Sequence, residues 1–203
     1  MKKVWIIGKG EGKEFVPDVI PEGIDVWGVN NSVFDRQMDL LFYLHYPEDT
    51  AEYREIRLEG NEKGIEVITQ NGDLEGWDKQ IAYPLRGIIE KFGTGYFGNS
   101  IGYMIAYALY KGYEQIDIYG CPISTETEYI FEKANIDFWI GYCMGQGVKV
   151  KIHGISTIMI PNGNIIYGWN KELEEIIPKW TDLTKKKGLL EFIDDNDYDD
   201  SDE

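Results

Sequence analysis

The sequence has few of the residues that build covalent or metal-bound frameworks. Its 203 residues include two cysteines, Cys121 and Cys143, and two histidines. The cysteines form no CxxC motif and have no neighbouring histidine pair, so we expect neither a disulfide framework nor a zinc site. Free thiols are typical of a reducing compartment, which predicts a cytoplasmic protein.

Long apolar runs are also missing. No run approaches the roughly 18 to 20 residues that span a bilayer. The amino-terminal segment MKKVWIIGKGEG passes from four apolar residues into glycines and charge, so we expect no signal peptide. The sequence therefore predicts no membrane span.

Basic residues are scarce relative to acidic ones. There are 20 Lys and Arg against 36 Asp and Glu, and the formal net charge is −16. Direct nucleic-acid binding requires a basic surface that neutralises phosphates, so we do not expect it here. A small anionic ligand held by a few local groups is compatible with this charge.

Seven of the acids lie within the last ten residues. This density predicts a disordered acidic tail over residues 194–203, preceded by one folded domain over residues 1–193. Two interpretations of the tail stay open, a solvated chain end or a docking segment for a basic partner.

Short apolar strands followed by glycine or polar residues recur along the chain. The four clearest are predicted at Lys3–Ile7, Ile24–Val29, Met38–Leu44 and Gln115–Tyr119. The residues at their ends are Gly8 and Gly10, Asn30, His45 and Gly120. Because parallel strands end at the same edge of a sheet, we expect these residues to meet there and to contact a ligand.

Residues 93–152 show the clearest succession of elements: loop, helix, strand, loop, helix, strand. Asn99 and Ser100 precede an apolar helix, and either can cap it. The free N–H groups and positive dipole end at such a start favour an anion such as phosphate. The alternative is that both residues serve only the helix, since every helix needs a cap. A second helix is predicted at Thr125–Met144 and a strand at Val148–Ile152.

Other regions have weaker patterns. Between residues 45 and 93 we predict a strand at Glu66–Thr69 and a helix at about Leu85–Lys91. After residue 152 we predict a hairpin around Asn162-Gly163 and two short helices. Together these elements predict a single three-layer α/β domain with a mainly parallel sheet and a small C-terminal hairpin and helical extension.

The first loop has the glycine spacing GxGxG rather than GxGxxG. The following residues KEFVPDVIPEG are also too few and too proline-broken for a long crossover helix. A standard dinucleotide site is therefore not expected.

Four motifs lie in order within residues 1–152. They are KKVWIIGKGEGKE, DVWGVNNS, GNSIGYMIAYALYKGYEQI and DIYGCPI. They resemble motifs of bacterial sialyltransferases, and their order is similar to that of pterin-diphosphokinase-like and motility-associated glycosyltransferase-like proteins. Residues 128–135 and 140–150 also resemble segments of Rossmann-like bacteriophage proteins that have no settled activity.

This resemblance implies a Rossmann-like fold that binds a nucleotide or nucleotide sugar. On matching positions, it implies ligand contacts at Gly8, Gly10, Asn30, Ser100 and Gly120. The phage resemblance implies a protein of the host cell cytoplasm. No metal is indicated, since no acidic pair has a spacing that demands Mg²⁺.

The chain departs from the sialyltransferase pattern after Gly120. Cys121-Pro122 stands where those enzymes carry an aspartate, and Pro122 offers no side-chain acceptor. The histidine that they place after this strand has no counterpart before His153. His45 and Glu128 are the remaining candidates for a general base.

Three aromatic residues lie close to the predicted start of the helix at Asn99 and Ser100. Tyr96, Phe97 and Tyr103 are candidates to flank a stacked base, although such residues also serve as core.

The leading functional hypothesis is a glycosyltransferase-like protein that uses a nucleotide sugar. The alternative is a non-catalytic phage accessory protein that sequesters a nucleotide signal or binds a host protein. A homo-oligomer is compatible with either hypothesis.

Overall fold

A computed structural model of the chain describes residues 1–45, 50–123, 129–154 and 156–159. The strands are β1 (Lys3–Ile7), β2 (Ile24–Val29), β3 (Leu40–Phe42), β4 (Glu66–Thr69), β5 (Gln80–Ala82), β6 (Gln115–Tyr119) and β7 (Lys149–Ile152). The α-helices are α1 (Ala51–Glu62), α2 (Leu85–Phe92), α3 (Ser100–Tyr110) and α4 (Tyr129–Gly145). Two short 3₁₀ helices lie at Lys13–Phe15 and Asn30–Phe34.

The seven strands form one parallel sheet with the order β5-β4-β3-β2-β1-β6-β7. In its register, Trp5 of β1 pairs with Val26 of β2 on one side and with Asp117 of β6 on the other. The chain runs outward from β1 to β5 and then returns to β6 on the far side of β1. The carboxyl ends of β1 and β6 therefore border a topological switch point, where ligands of open α/β sheets bind.

Strand β1 contacts both cores of the molecule. Val4 and Ile6 pack in the core that contains buried residues of α2, α3 and α4, whereas Trp5 and Ile7 pack in the core that contains α1. Burial of one aliphatic side chain of this size contributes roughly 1.5–3 kcal/mol. A strand that is apolar on both faces requires helices on both sides of the sheet, and the predicted three-layer fold is confirmed.

The bounds of the long apolar strands agree with the sequence prediction for β1, β2, β4 and β6. The third strand is shorter than predicted, because ladder pairing is limited to Leu40–Phe42. The connection from β1 to β2 contains only the 3₁₀ helix Lys13–Phe15, as the proline-broken sequence predicts.

Helix α1 and strand β5 were not predicted. Helix α1 is mostly polar, and it buries only Tyr53, Ile56 and Gly60. Its start is fixed by the side chain of Thr50, which accepts a hydrogen bond from the Tyr53 amide at 3.1 Å. So few apolar positions give a weak helical pattern in the sequence, although burial against the sheet suffices to hold the helix.

Residues 124–128 and 160–203 lie outside the described residues. The predicted first residues of the helix at Thr125–Met144, the C-terminal helices, the Asn162-Gly163 hairpin and the acidic tail at 194–203 therefore stay predictions. None of the described helices is long and apolar enough to cross a membrane.

Candidate functional site

A cavity of about 650 Å³ lies at the carboxyl edge of the sheet. The ends of β1, β2, β3 and β6 and the start of α3 border it, so it spans the switch point between β1 and β6. Its volume falls within the roughly 300–1,000 Å³ of small-molecule sites. Seven of the predicted site residues line it: Gly8, Gly10, Asn30, His45, Asn99, Ser100 and Gly120.

The first loop and the end of β6 are in direct backbone contact. The Gly10 amide donates to the Gly120 carbonyl at 2.9 Å. A Cβ atom at Gly8 would collide with the Gly120 carbonyl, and one at Gly10 would collide with the ring of Pro122. Gly120 itself has φ +63°, which glycine adopts without strain. These glycines are therefore required by the close approach of two loops, whatever ligand contacts they make.

Lys9, in the first loop, lines the cavity and adds a positive charge to its wall. The second lysine near this loop, Lys13, donates to both carboxylate oxygens of Asp35 at 2.9 Å. Glu14 accepts from the Gly12 amide at 2.9 Å. An anion in the cavity would therefore meet Lys9 rather than Lys13.

Asn30 and His45 form a pair at the ends of β2 and β3. Asn30 Nδ2 lies 3.3 Å from His45 Nε2. With the amide nitrogen as donor, Nε2 is the acceptor and the imidazole proton lies on Nδ1. His45 must leave Asn30 before Nε2 can accept a proton from a ligand.

The backbone and the second amide atom of Asn30 are unusual. Its φ is +51°, a region that asparagine tolerates better than most residues. Its Oδ1 is buried and has no hydrogen-bond partner among the described residues. A buried acceptor without a partner is costly, typically by about 1–3 kcal/mol, so a donor supplied by a ligand or water at this position would be favourable.

The Asn99 side chain is fully engaged within the protein. Its Oδ1 caps α3 by accepting from the Gly102 amide at 2.8 Å. Its Nδ2 donates to the Glu132 carbonyl at 2.9 Å and lies 3.4 Å from Asn135 Oδ1. Asn99 thus ties α3 to α4, and the neighbouring Ser100 begins the helix beside the cavity.

The aromatic candidates divide between the cavity and the core. Tyr103 lines the cavity, and Phe97 stacks behind it at 4.2 Å between ring centroids. Phe97 stacks in turn on Trp139 at 5.1 Å. Tyr96 lies instead against Phe138 on α4. Two stacked rings, Phe97 and Trp139, therefore lie behind Tyr103, which is the one tyrosine among the described lining residues.

The ligand contacts predicted from the sequence did not include several lining residues, among them Lys9, Cys121, Ile123, Glu132 and Ile136. Lys9 lies within the recognised glycine loop, so its position was a usable signal. The α4 residues carried no such signal, because only tertiary packing brings that helix to the sheet edge. Cys121 is not a nucleophile at neutral pH, since burial raises the pKa of its thiol to about 12.

Neither the other base candidate, Glu128, nor the second histidine, His153, is among the described residues that line the cavity. Glu128 lies outside the described residues. His153 does not line the cavity; its Nε2 is 2.7 Å from Oδ1 of the buried Asp117, and its ring stacks on Tyr119 at 4.2 Å. The described residues contain no group of three or more His, Cys, Asp or Glu side chains that could hold a metal ion.

The fold and the cavity together define a Rossmann-like α/β protein with an open site at the switch point. Comparison with protein-family models gives no match, and neither does comparison with curated protein sequences. Solved structures do give matches, and several of them are sialyltransferases.

One is a variant of the sialyltransferase CST-II in complex with CMP, with 16% identity and a TM-score of 0.55 over 82% of this chain and 89% of that one. Another is CstII from Campylobacter jejuni in complex with cytidine-5'-monophosphate, with 17% identity and a TM-score of 0.50 over 75% and 80% of the two chains. A third, with CMP-3FNeuAc, has 16% identity and a TM-score of 0.50 over 82% and 89%. At this identity the similarity establishes a shared sialyltransferase-like fold.

Proposed function

We propose that the chain binds a nucleotide or a nucleotide-activated small molecule in the cavity at the switch point. The observation that carries this proposal is the convergence of four strand ends and a helix start on one cavity of about 650 Å³. Peptide N–H groups at such a helix start favour a phosphate, and Lys9 adds a local positive charge. Two structures of similar fold carry CMP, and a third carries CMP-3FNeuAc.

If the protein is catalytic, the reaction that we propose is glycosyl transfer from a nucleotide sugar. The acceptor hydroxyl attacks the anomeric carbon, and the bond to the nucleotide phosphate breaks. The start of α3 and Lys9 would stabilise the departing phosphate. His45 would accept the acceptor proton after it leaves Asn30, and Glu128 is the second candidate for this role.

A second function, binding without turnover, is favoured by the chemistry of the described cavity. Its one histidine already accepts a hydrogen bond from Asn30 through Nε2. The Cys121 thiol is protonated, and Pro122 contributes no polar side chain where sialyltransferases carry an aspartate. Such a protein would sequester a nucleotide signal.

The proposal is tested by calorimetry and thermal shift with CMP, CDP, UDP, GDP, AMP, NAD, cyclic dinucleotides and nucleotide sugars. A ligand that binds only the native state raises the melting temperature, and above its Kd the rise grows with the logarithm of its concentration. Asn30→Ala and Ser100→Ala should weaken the effect, whereas Lys149→Ala, an exposed residue of β7, should not. If none of these compounds shifts the unmodified protein, the proposal fails.

Turnover is separated from binding in a second step. The nucleotide sugar that binds is incubated with the protein and with simple saccharide acceptors, and free nucleotide is measured. Release that is lost in His45→Ala while binding persists supports catalysis with His45 as base. Tight binding with no release by the unmodified protein supports sequestration instead.

A further inference from the structure

A carboxylate lies on the inward side of α4, where the helix borders the cavity. Glu132 shares one helical row with Asn135, Ile136 and Trp139, which follow it along α4. Those three side chains have no exposed surface, so the row faces the interior. Glu132, at the N-terminal end of the row, is partly buried and lines the cavity. A charged group that is partly removed from water requires polar partners.

The direction of α4 places Glu132 at the carboxyl edge of the sheet. Strands β6 and β7 are parallel, so α4, which connects them, runs back and begins at that edge. The Cα–Cβ bonds of a helix tilt toward its N-terminus, so a side chain in the first turn leans toward the strand ends. The Glu132 carbonyl accepts a hydrogen bond from Asn99 Nδ2 at 2.9 Å, which holds this turn against the start of α3. The carboxyl group therefore belongs to the α4 side of the cavity.

The loop after β6 has backbone carbonyls that are already engaged within the protein. Ser156 Oγ donates to the Cys121 carbonyl at 2.7 Å, and the Thr157 amide donates to the Pro122 carbonyl at 3.0 Å. Neither Cys121 nor Pro122 has an oxygen in its side chain. A hydrogen bond to an ionised acceptor is also roughly twice as strong as one between neutral groups. Ligand donors on this side of the cavity would therefore find their strongest acceptor in Glu132.

The described lining of the cavity carries one formal charge of each sign. Lys9 supplies the cation in the loop after β1, and Glu132 supplies the anion on α4. Asn30 and His45, at the ends of β2 and β3, lie on the other side of β1 from the two strands that α4 connects. The order across the cavity is therefore His45 and Asn30, then Lys9, then Glu132. A carboxylate repels a phosphate, so Glu132 must face a different part of the ligand.

A ribonucleotide matches this order of groups. Its phosphate is an anion, and its ribose carries two neighbouring hydroxyl donors. A carboxylate accepts hydrogen bonds on both of its oxygens and donates none, so it suits a pair of hydroxyls. Dinucleotide-binding α/β proteins use an acidic side chain on the ribose in a similar way. The phosphate would then lie at Lys9, and the group that it activates would lie toward Asn30 and His45.

A simpler explanation of Glu132 is its position near the start of α4. An acidic side chain in the first turn is stabilised by the positive end of the helix dipole. That effect depends on the distance from the helix end, and it does not depend on which side of the helix the residue occupies. It does not explain why the acid lies on the inward row while the neighbouring Phe131 is 79% exposed.

We propose that Glu132 binds the ribose hydroxyls of a nucleotide in the cavity, and that it selects ribonucleotides over 2′-deoxyribonucleotides. This inference rests on the proposed nucleotide-binding function and adds the orientation of the ligand. Removal of the 2′ hydroxyl takes one donor away from a partly buried carboxylate. Sites built to bind a hydroxyl group discriminate strongly against the analogue that lacks it, so we expect the ribonucleotide to bind at least about tenfold more tightly.

Calorimetry with matched nucleotide pairs tests this selectivity. The probes are the 5′-mono- and diphosphates of cytidine, uridine, guanosine and adenosine, each compared with its 2′-deoxy form. The ratio of the two affinities is the readout, because both members of a pair carry the same base and phosphate. In Glu132→Ala the ratio should fall below about threefold. Glu55→Ala, which removes an exposed acid of α1, should leave the ratio unchanged.

The two proposals fail in different ways. If no ribonucleotide binds, here or in the thermal-shift series, the proposed function itself fails. If ribonucleotides bind but the two members of each pair have equal affinities, the nucleotide site stands and the role of Glu132 is overturned. A change of base preference in Glu132→Ala with the ribose preference intact would also overturn it, since the carboxylate would then contact the base. The ratio for the unmodified protein decides the matter even where Glu132→Ala does not fold.

Discussion

Gly102 of α3 lies directly against the buried side chain of Asn135 on α4. A Cβ atom at position 102 would collide with Asn135 Oδ1, and it would also come within 3.4 Å of Trp139. Asn135 has no exposed surface, and its Nδ2 is held by the Tyr96 carbonyl. The missing methyl group of Gly102 therefore sets how closely α3 and α4 can approach beside the cavity.

The same substitution should have opposite effects in these two helices. Gly102→Ala should destabilise the fold by about 1–3 kcal/mol, because Asn135 or the helix must shift. Gly141→Ala adds a methyl group that has no described residue within 4 Å, and it should stabilise the protein by about 0.5–1 kcal/mol through helix propensity. Urea unfolding measures both changes. Equal destabilisation by the two variants would show that Gly141, like Gly102, is packed against other atoms.

Asn99 should stabilise the fold in two ways, by capping α3 and by a hydrogen bond from α3 to α4. Asn99→Ala removes the acceptor for the Gly102 amide and the donor to the Glu132 carbonyl, so a loss of about 1–2 kcal/mol is expected from the cap alone. Asn99→Ser keeps a capping oxygen and should lie between Asn99→Ala and the unmodified protein. A serine variant no more stable than the alanine variant in denaturant titrations would argue against the cap.

Lys9 should contribute to ligand affinity through charge. Lys9→Ala should lower the affinity for an anionic ligand by about three- to thirtyfold, because a local cation is lost. The affinity of the variant should also depend less on salt concentration. Lys13→Ala should have a smaller effect, because Lys13 is already bound to Asp35. Calorimetry at low and high salt compares the two. A larger loss in Lys13→Ala would reverse the assignment of the anion-facing lysine.

The buried thiols should make stability depend on alkaline pH. Burial raises the pKa of Cys121 and of Cys143 from 9.0 to about 12. The folded state thus keeps protons that the unfolded state releases above pH 9. The stability from each thiol is fully present below pH 9 and is lost as pH rises through about 12, at up to roughly 1.4 kcal/mol per pH unit.

Unfolding in urea at pH 8, 9, 10 and 11 measures this loss, and a Cys143→Ala chain should show a shallower decline. Reagents for accessible thiols give a second measurement at pH 8, where folded protein should react only after unfolding. Rapid reaction of the native protein with two equivalents of reagent would disprove the burial of the thiols.

The strands that flank the site could be predicted because each is a short apolar run that stops at glycine or a polar residue. Strands β1 and β2 are bounded in this way by Gly8 and Asn30, and both bounds agree with the structure. Helix α1 lacked such a signal, since its stability depends on tertiary contacts such as the packing of Trp77 on Gly60. A weakly amphipathic helix forms mainly through contacts that the local sequence does not encode.

The strand ends that border the cavity could be predicted from the sequence. Which of their polar side chains already have hydrogen-bond partners within the protein could not. The preference for Lys9 over Lys13 depends on Asp35, which is 22 residues from Lys13. The engagement of Asn99 depends on α4, more than 30 residues further along the chain. Such long-range partners determine which polar groups are left for a ligand, and local patterns do not report them.

The contact between the first loop and the end of β6 divides the cavity wall into a fixed part and a variable part. Gly8, Gly10 and Gly120 admit no side chain, so the peptide groups at the switch point keep their chemistry under almost any substitution that still folds. Changes of ligand preference must then come from the side chains around that fixed wall, such as Lys9, His45 and Tyr103. A library aimed at new specificity would be best confined to those positions.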